Sequence, residues 1–485
     1  MPATLPVGNL IDGKWSDKGS VHESVNPSTG DIVGTYVSAG RAEAEAAIAA
    51  ARTAFDTTDW PRNAALRSRA LNELAEQLAG RVPALSRTLA RENGKLLAQT
   101  TWEVSLSVEW LRYSAATALT QIAGRAVEPQ PGTYVYSTPE AMGVAGIITP
   151  WNSPVILLVR SLGPAIGAGC TSVVKLPGQT ALTNALFAEA VAATKSLPAG
   201  VVNILTEADN EVAPLLVESP DIDVISYTGS THVGRAIAAA AAPTLKRLNL
   251  ELGNKTPMVV FDDADLDAVV PQLVASCIMM NGQFCCTGSR VLAQRGIADE
   301  LRTRLTAALQ AVRVGPAEDP SSQLGPLIDK AAVTRVDGIV EEAASYAKVL
   351  VRGGPVNDPE LASGAYFRPA LLEVEELDTP LVQQEVFGPV QTFEVFDDEA
   401  DAVHRANATQ FGLAASVFTG SDIRARRVAR DLRFGGIWIN TWGLQSEHIE
   451  QGGIKQSGHG LLCGPSAVTE FQNLKAYATT APQPA

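Results

Sequence analysis

Val144-Ala145-Gly146-Ile147-Ile148 is a continuous apolar run of strand length, and Thr149-Pro150 ends it. A run this short, bounded by turn chemistry, reads as a strand covered on both faces. A helical segment follows, through Pro164-Ala165-Ile166-Gly167-Ala168-Gly169, and then a second strand, Ser172-Val173-Val174-Lys175. The alternation continues with a helix from Leu182 to Thr194 and the run Val201-Val202-Asn203-Ile204-Leu205. Val224-Ile225-Ser226-Tyr227 then precedes Gly229-Ser230-Thr231 and an Ala-rich helix. Repeated strand–helix units of this length predict an α/β fold with a doubly wound parallel sheet.

Outward from this region the pattern changes twice. Downstream, a second alternating region runs from near Lys255 to about Gly453, with strands such as Ala414-Ala415-Ser416-Val417-Phe418 and Gly436-Ile437-Trp438-Ile439-Asn440. It predicts a second α/β domain. Upstream, turn dipeptides (Asp12-Gly13, Asn26-Pro27, Thr29-Gly30) separate short strands at Leu10-Ile11 and Ile32-Val33. Residues Arg41 to Lys95 read as helical, broken at Pro61 and Pro83, and Leu97 to Ile122 reads as a further long helix. Thr133-Tyr134-Val135-Tyr136-Ser137-Thr138 has β-type composition and suits pairing across a subunit boundary. The Pro/Ala-rich tail from Thr479 to Ala485 is expected to fray. The length of 485 residues fits about three domains.

Thirty-eight basic residues against 52 acidic ones give a net charge of −14, which argues against nucleic acid or an anionic membrane as the main partner. It leaves room for a small anionic cofactor on a local positive site. Five cysteines at irregular spacing predict no disulfide framework, and no Cys/His cluster has metal-ligand spacing. The start, Met1-Pro2-Ala3-Thr4-Leu5-Pro6, shows no signal peptide, and no stretch of about 20 apolar residues is present to span a membrane. A cytoplasmic setting is the expectation.

Three motifs carry chemistry. Gly282-Gln283-Phe284-Cys285-Cys286 supplies a thiol. Leu248-Asn249-Leu250-Glu251-Leu252-Gly253 places a carboxylate in an apolar context, where burial would raise its pKa and suit it to general-base work. Thr149-Pro150-Trp151-Asn152-Ser153-Pro154 places an amide in a turn after a strand. Each has a plainer reading: a buried small hydrophobe, a solvated charge, a helix cap. The plain reading suits Cys170, Cys277 and Cys463. Together, a thiol nucleophile, a carboxylate base and an amide donor are what covalent acyl chemistry needs.

With these motifs in this order the chain resembles the aldehyde dehydrogenase superfamily over almost its whole length. The family's Gln-x-Cys pattern selects Cys285 over Cys286 as nucleophile. The resemblance implies oxidation of an aldehyde to its acid, with hydride passing to NAD or NADP, through a thiohemiacetal and a thioester on Cys285. Asn152 would steady the oxyanion, and Glu251 would direct the water that hydrolyses the thioester. Its presence speaks against the acyl-CoA-forming branch. The cofactor site implied comprises Thr149, Trp151, Lys175, Gly178, Gly229, Ser230, Leu252, Glu385 and Phe387. The fold implied is an NAD(P)-binding domain (residues 1–118 and 142–253), a catalytic domain (254–463) and a small β oligomerisation element (119–141 and 464–485). A homodimer or homotetramer would follow. The run Gly452-Gly453-Ile454-Lys455-Gln456-Ser457-Gly458 matches a structural motif of the family.

The chain also departs from that pattern. Gly178 stands where many NAD-preferring members carry a glutamate, which predicts space for a 2′-phosphate and acceptance of NADP. Ser161 and Leu462 stand where some members carry a lysine and a glutamate held to be a proton path. The substrate pocket implied is Ser153, Ile156, Arg160, Phe284, Trp442 and Gln445, with Glu447 and His448 as further candidates for its wall. Arg160 replaces a common tryptophan; it either pairs with a carboxylate or recognises an anionic substrate. Two rival readings remain. A cysteine hydrolase without redox chemistry needs a histidine base, and none of the five histidines lies in a recognisable partner motif. A silent family member would act only as a binding protein.

Overall fold

Five parallel strands form the centre of the first sheet, in the order Val202–Glu207, Thr171–Pro177, Val144–Ile148, Val224–Thr228 and Arg247–Glu251. The computed structural model describes residues 7–120 and 123–480. Three antiparallel edge strands complete an eight-stranded sheet: Asn9–Ile11 and Lys14–Ser16 on one side, Gly458–His459 on the other. The central strands are buried on both faces because helices cover both, which is why their sequences run apolar without alternation. Strand order reverses between Val144–Ile148 and Val224–Thr228, and the crevice at such a switch point is where α/β sheets bind ligands.

The second sheet has seven strands, in the order Lys348–Val351, Ala370–Glu373, Val390–Phe396, Arg290–Gln294, Pro257–Val260, Ala414–Phe418 and Gly436–Ile439. All pairs in it are parallel except the first. A separate three-stranded antiparallel sheet joins Arg125–Gln130, Thr133–Ala141 and Gln472–Thr480. Within the chain Thr133–Thr138 therefore pairs with its own C-terminal strand. That strand keeps Thr479 and Thr480 paired, against the expected fraying from 479; residues 481–485 lie outside the described residues.

The helical N-terminal region resolves into Arg41–Thr57, Ala64–Ala79 and Val82–Asn93. Pro83 opens the last of these, at a first-turn position where its missing N–H costs nothing, and does not break a helix as expected. The next helix ends at Thr117, short of the expected Ile122, which lies outside the described residues. No described helix is long and apolar enough to cross a membrane, and no described group of side chains could hold a metal ion. All five cysteines are free.

Candidate active site

Asn152 lies in the turn between Val144–Ile148 and the helix Pro154–Ala168. Its side chain does not cap that helix. The amide nitrogen donates to the Gln283 carbonyl at 3.0 Å, which ties the turn to the cysteine loop. An amide carries two N–H groups, so the second can face an oxyanion. The helix is capped instead by buried Glu103, whose Oε1 accepts from the Val155 and Ile156 amides at 3.0 and 3.3 Å. Buried Lys95 pairs with the same carboxylate and donates to Ser153 Oγ at 3.2 Å. This ion pair fixes the helix that carries Ile156, Leu157 and Arg160. Nothing in the sequence pattern singled out Lys95 or Glu103.

Cys285 follows three consecutive left-handed residues: Met280, Asn281 and Gly282, with φ of 50°, 60° and 72°. Such a run is costly for side-chain-bearing residues, so something must hold it. Asn281 does: its amide donates to the carbonyls of Gly94 (2.9 Å) and Pro326 (2.7 Å) and accepts from the Gly325 amide. A Cβ on Gly282 would run into the Gly388–Pro389 backbone. Gly282→Ala is therefore expected to cost more than about 2 kcal/mol. It should also displace the nucleophile. Denaturant unfolding and the initial oxidation rate check both.

Glu251 ends the strand Arg247–Glu251 and is 3% exposed. The edge strand Gly458–His459 lies beside it, and the preceding segment delivers the Gly453 amide to Glu251 Oε1 at 3.3 Å. The Arg160 guanidinium is 3.5 Å from Oε2 and also reaches Thr228 Oγ1 at 3.4 Å. Burial raises the Glu251 pKa above the usual carboxylate range, with Arg160 and the Gly453 amide opposing. The segment 452–458 thus does more than shape the backbone, because it supplies a hydrogen bond to the candidate base.

One cleft of about 330 Å³ brings Asn152, Glu251 and Cys285 together with Trp151, Ser230, Leu252, Glu385 and Phe387. Gly229 lines it as well. Ser230 caps the helix Thr231–Ala241 by accepting the Val233 amide at 3.3 Å, so the start of that helix opens onto the cleft. A helix N-terminus suits a pyrophosphate. Glu385 accepts from the Asn254 amide at 3.0 Å, and burial lifts its pKa to about 7. Trp151 and Phe387 meet edge to face, centroids 5.6 Å apart. The hydroxyl of Thr149 is buried without a partner, a donor in waiting. These features fit a dinucleotide.

Thr149, Lys175 and Gly178 lie outside the lining of this cleft, along the ends of neighbouring strands. One expectation fails here: Gly178 opens no space. The Tyr36 hydroxyl fills the position a side chain would take. Lys175 is not bare either; its ammonium lies 3.6 Å from Glu207 Oε2.

On the other side of Cys285 a narrower apolar passage is lined by Trp102, Trp110, Ile156, Leu157, Met280 and Phe284, with Ser153, Arg160 and Gln445 among its polar members. Trp442 is absent from this inner passage. It lines an outer cleft of about 250 Å³ with Trp102, Met279, Phe284 and Gln445. Its indole N–H donates to the Cys286 carbonyl at 2.9 Å, and its ring meets Phe284 edge to face. His448 is largely exposed and packs on Tyr113 rather than in the passage. Trp102 and Trp110 were not foreseen, because helical aromatics read as ordinary core, and nor was Met280, which carries no polar or charged signal.

The chain is similar to known proteins over nearly its whole length. Residues 15–477 match the profile of the Aldehyde dehydrogenase family. A mitochondrial succinate-semialdehyde dehydrogenase of Arabidopsis thaliana is 35% identical over 475 residues, 97% of this chain and 89% of that protein. A betaine aldehyde dehydrogenase of Sinorhizobium fredii is 34% identical, covering 98% of this chain and 97% of that protein. The crystal structure of a Staphylococcus aureus betaine aldehyde dehydrogenase in complex with NAD+ superposes with a TM-score of 0.96 at 30% identity, over 99% of this chain and 96% of that one.

Proposed function

We propose, from the premise that this chain belongs to the aldehyde dehydrogenase family and oxidises an aldehyde to its carboxylic acid with NAD or NADP, that Cys285, Asn152 and Glu251 carry the chemistry. The observation that carries this assignment is their meeting in one cleft with the Ser230 helix start, Glu385 and Phe387. Cys285 adds to the aldehyde carbon as thiolate. The Asn152 amide stabilises the oxygen as it becomes an anion, an interaction worth about 100- to 1,000-fold in rate. The bound nicotinamide supplies the hydride acceptor. Glu251 then takes a proton from the water that attacks the Cys285 thioester, and the acid leaves. The hydrolase reading has no use for a dinucleotide cleft beside the thiol, and the silent-binder reading has none for a thiol, a carboxylate and an amide gathered in one cleft. Nicotinamide absorbance with an aldehyde panel tests the assignment: Cys285-dependent reduction supports it, and none from folded, cofactor-binding protein overturns it.

The lining of the passage supports one substrate class over another. Its walls are aromatic and aliphatic, and Arg160, the cation within it, is spent on Glu251. This favours an apolar, ring-bearing aldehyde without a charge of its own. A carboxylate-bearing aldehyde is the second reading, favoured by the buried Arg160 Nε, which has no partner. Arg160→Gln separates them. The first reading predicts unchanged KM for benzaldehyde and for succinic semialdehyde, with the pH profile shifted upward because Glu251 has lost its cation. The second predicts a rise of about 100-fold or more in KM for the semialdehyde alone.

The three-stranded sheet presents an outer strand, Arg125–Gln130, that is exposed throughout, and Leu474 on its far strand is exposed too. An unpaired edge of this kind suits a homodimer, or a tetramer of two dimers, with residues 119–141 and 464–485 as the assembling element. The five free thiols fit a reducing, cytoplasmic setting.

A further inference from the structure

We propose that Glu207 is the specificity-determining carboxylate of the dinucleotide site, binding the adenosine ribose hydroxyls beside Lys175 and disfavouring NADP. It takes over from the next strand the task that position 178 has lost. The proposal rests on the reading that the adenosine ribose lies against Lys175.

Glu207 ends the strand Val202–Glu207 and stands opposite Pro177, the residue before Gly178. The side chain is fully buried. Its Oε1 accepts the Glu211 and Val212 amides at the start of the helix Val212–Glu218, which fixes the carboxylate's orientation. Its Oε2 is buried and has no hydrogen-bond partner; the nearest cation is the Lys175 ammonium at 3.6 Å. A buried carboxylate oxygen without a donor is costly and calls for one. A ribose 2′-hydroxyl can donate. A 2′-phosphate cannot, and its charge would meet the carboxylate's. Lys175 is the partly exposed side chain beside it, and its flexible end can move to admit the sugar.

The surroundings add to the repulsion. Asp209 lies two residues on, within 3.9 Å of His22 and close enough to Tyr36 to help hold the Tyr36 hydroxyl protonated, after burial. That hydroxyl occupies the space above Gly178. The missing glutamate at 178 therefore does not imply room for a phosphate, since the volume is filled and a carboxylate is still present.

Calorimetric titration with NAD and with NADP, on wild type and Glu207→Gln, tests this without turnover. Gln keeps an acceptor for the Glu211 and Val212 amides. Wild type should bind NAD on the order of 100-fold more tightly than NADP, the scale of a close like-charge contact. Glu207→Gln should bring the ratio below about 10-fold, chiefly by tightening NADP. Equal wild-type affinities would overturn the proposal even if the variant failed to fold. So would a variant that weakens both dinucleotides alike, as a purely structural Glu207 would. Folded wild type that binds neither would overturn the dinucleotide reading itself, and this proposal with it.

Discussion

Cys285→Ala should lower aldehyde oxidation by at least about 10⁴-fold while leaving dinucleotide affinity within a factor of about 3. The thiol has no substitute. Its neighbour Cys286 is 3.9 Å away but buried; contact with Cys285 and burial both raise its thiol pKa, and the burial persists when Cys285 is replaced. Cys170 and Cys463 are buried as well, their pKa values pushed up to about 11 and about 12. Only Cys285 among the five is partly exposed. Removing its sulfur takes away no hydrogen bond from the Asn152–Gln283 link, so the fold should persist. Cys286→Ser should keep activity within about 10-fold. Nicotinamide absorbance gives the rates, and fluorescence titration gives the affinities.

Glu251→Gln should separate the two halves of the reaction. Acylation does not need the carboxylate, so one equivalent of cofactor per active site should still be reduced in a burst. Steady-state turnover should then fall by about 10²- to 10⁴-fold, the usual worth of a general base. In the wild type the same group predicts the pH profile. Burial raises its pKa, so the base is lost at a pH where an ordinary glutamate is still charged. Deacylation should therefore decline as pH falls through this raised value, and Glu251→Gln should flatten that limb. The variant carries a stability cost as well, because buried Arg160 loses its carboxylate partner.

The sheets were legible because buried parallel strands announce themselves as short apolar runs. Val144–Ile148, Val224–Thr228 and the strand ending at Glu207 are where alternation predicts them. The proposed nucleophile, base and amide donor were legible as motifs, and the three residues line one cleft. Contacts between distant segments were not. Nothing periodic links Gly453 to Glu251, Glu103 to the start of the Pro154 helix, or Tyr36 to Gly178, yet these shape the site. Arg160 was readable as the partner of a carboxylate or of an anionic substrate, but not as the partner of Glu251 in particular, since that choice depends on which strand end faces the helix. The run of three left-handed residues before Gln283 also left no mark: Gly282 and Asn281 are types that adopt that conformation singly, but Met280 is not, and nothing local announces three in succession.

The most direct test of covalent catalysis at this cleft is intact-protein and peptide mass analysis of Glu251→Gln, quenched after mixing with benzaldehyde and NAD. One benzoyl group per chain is expected, on the peptide containing Cys285, in step with the burst of reduced cofactor. Reduced cofactor without any adduct, or an adduct that survives in Cys285→Ala, would contradict it.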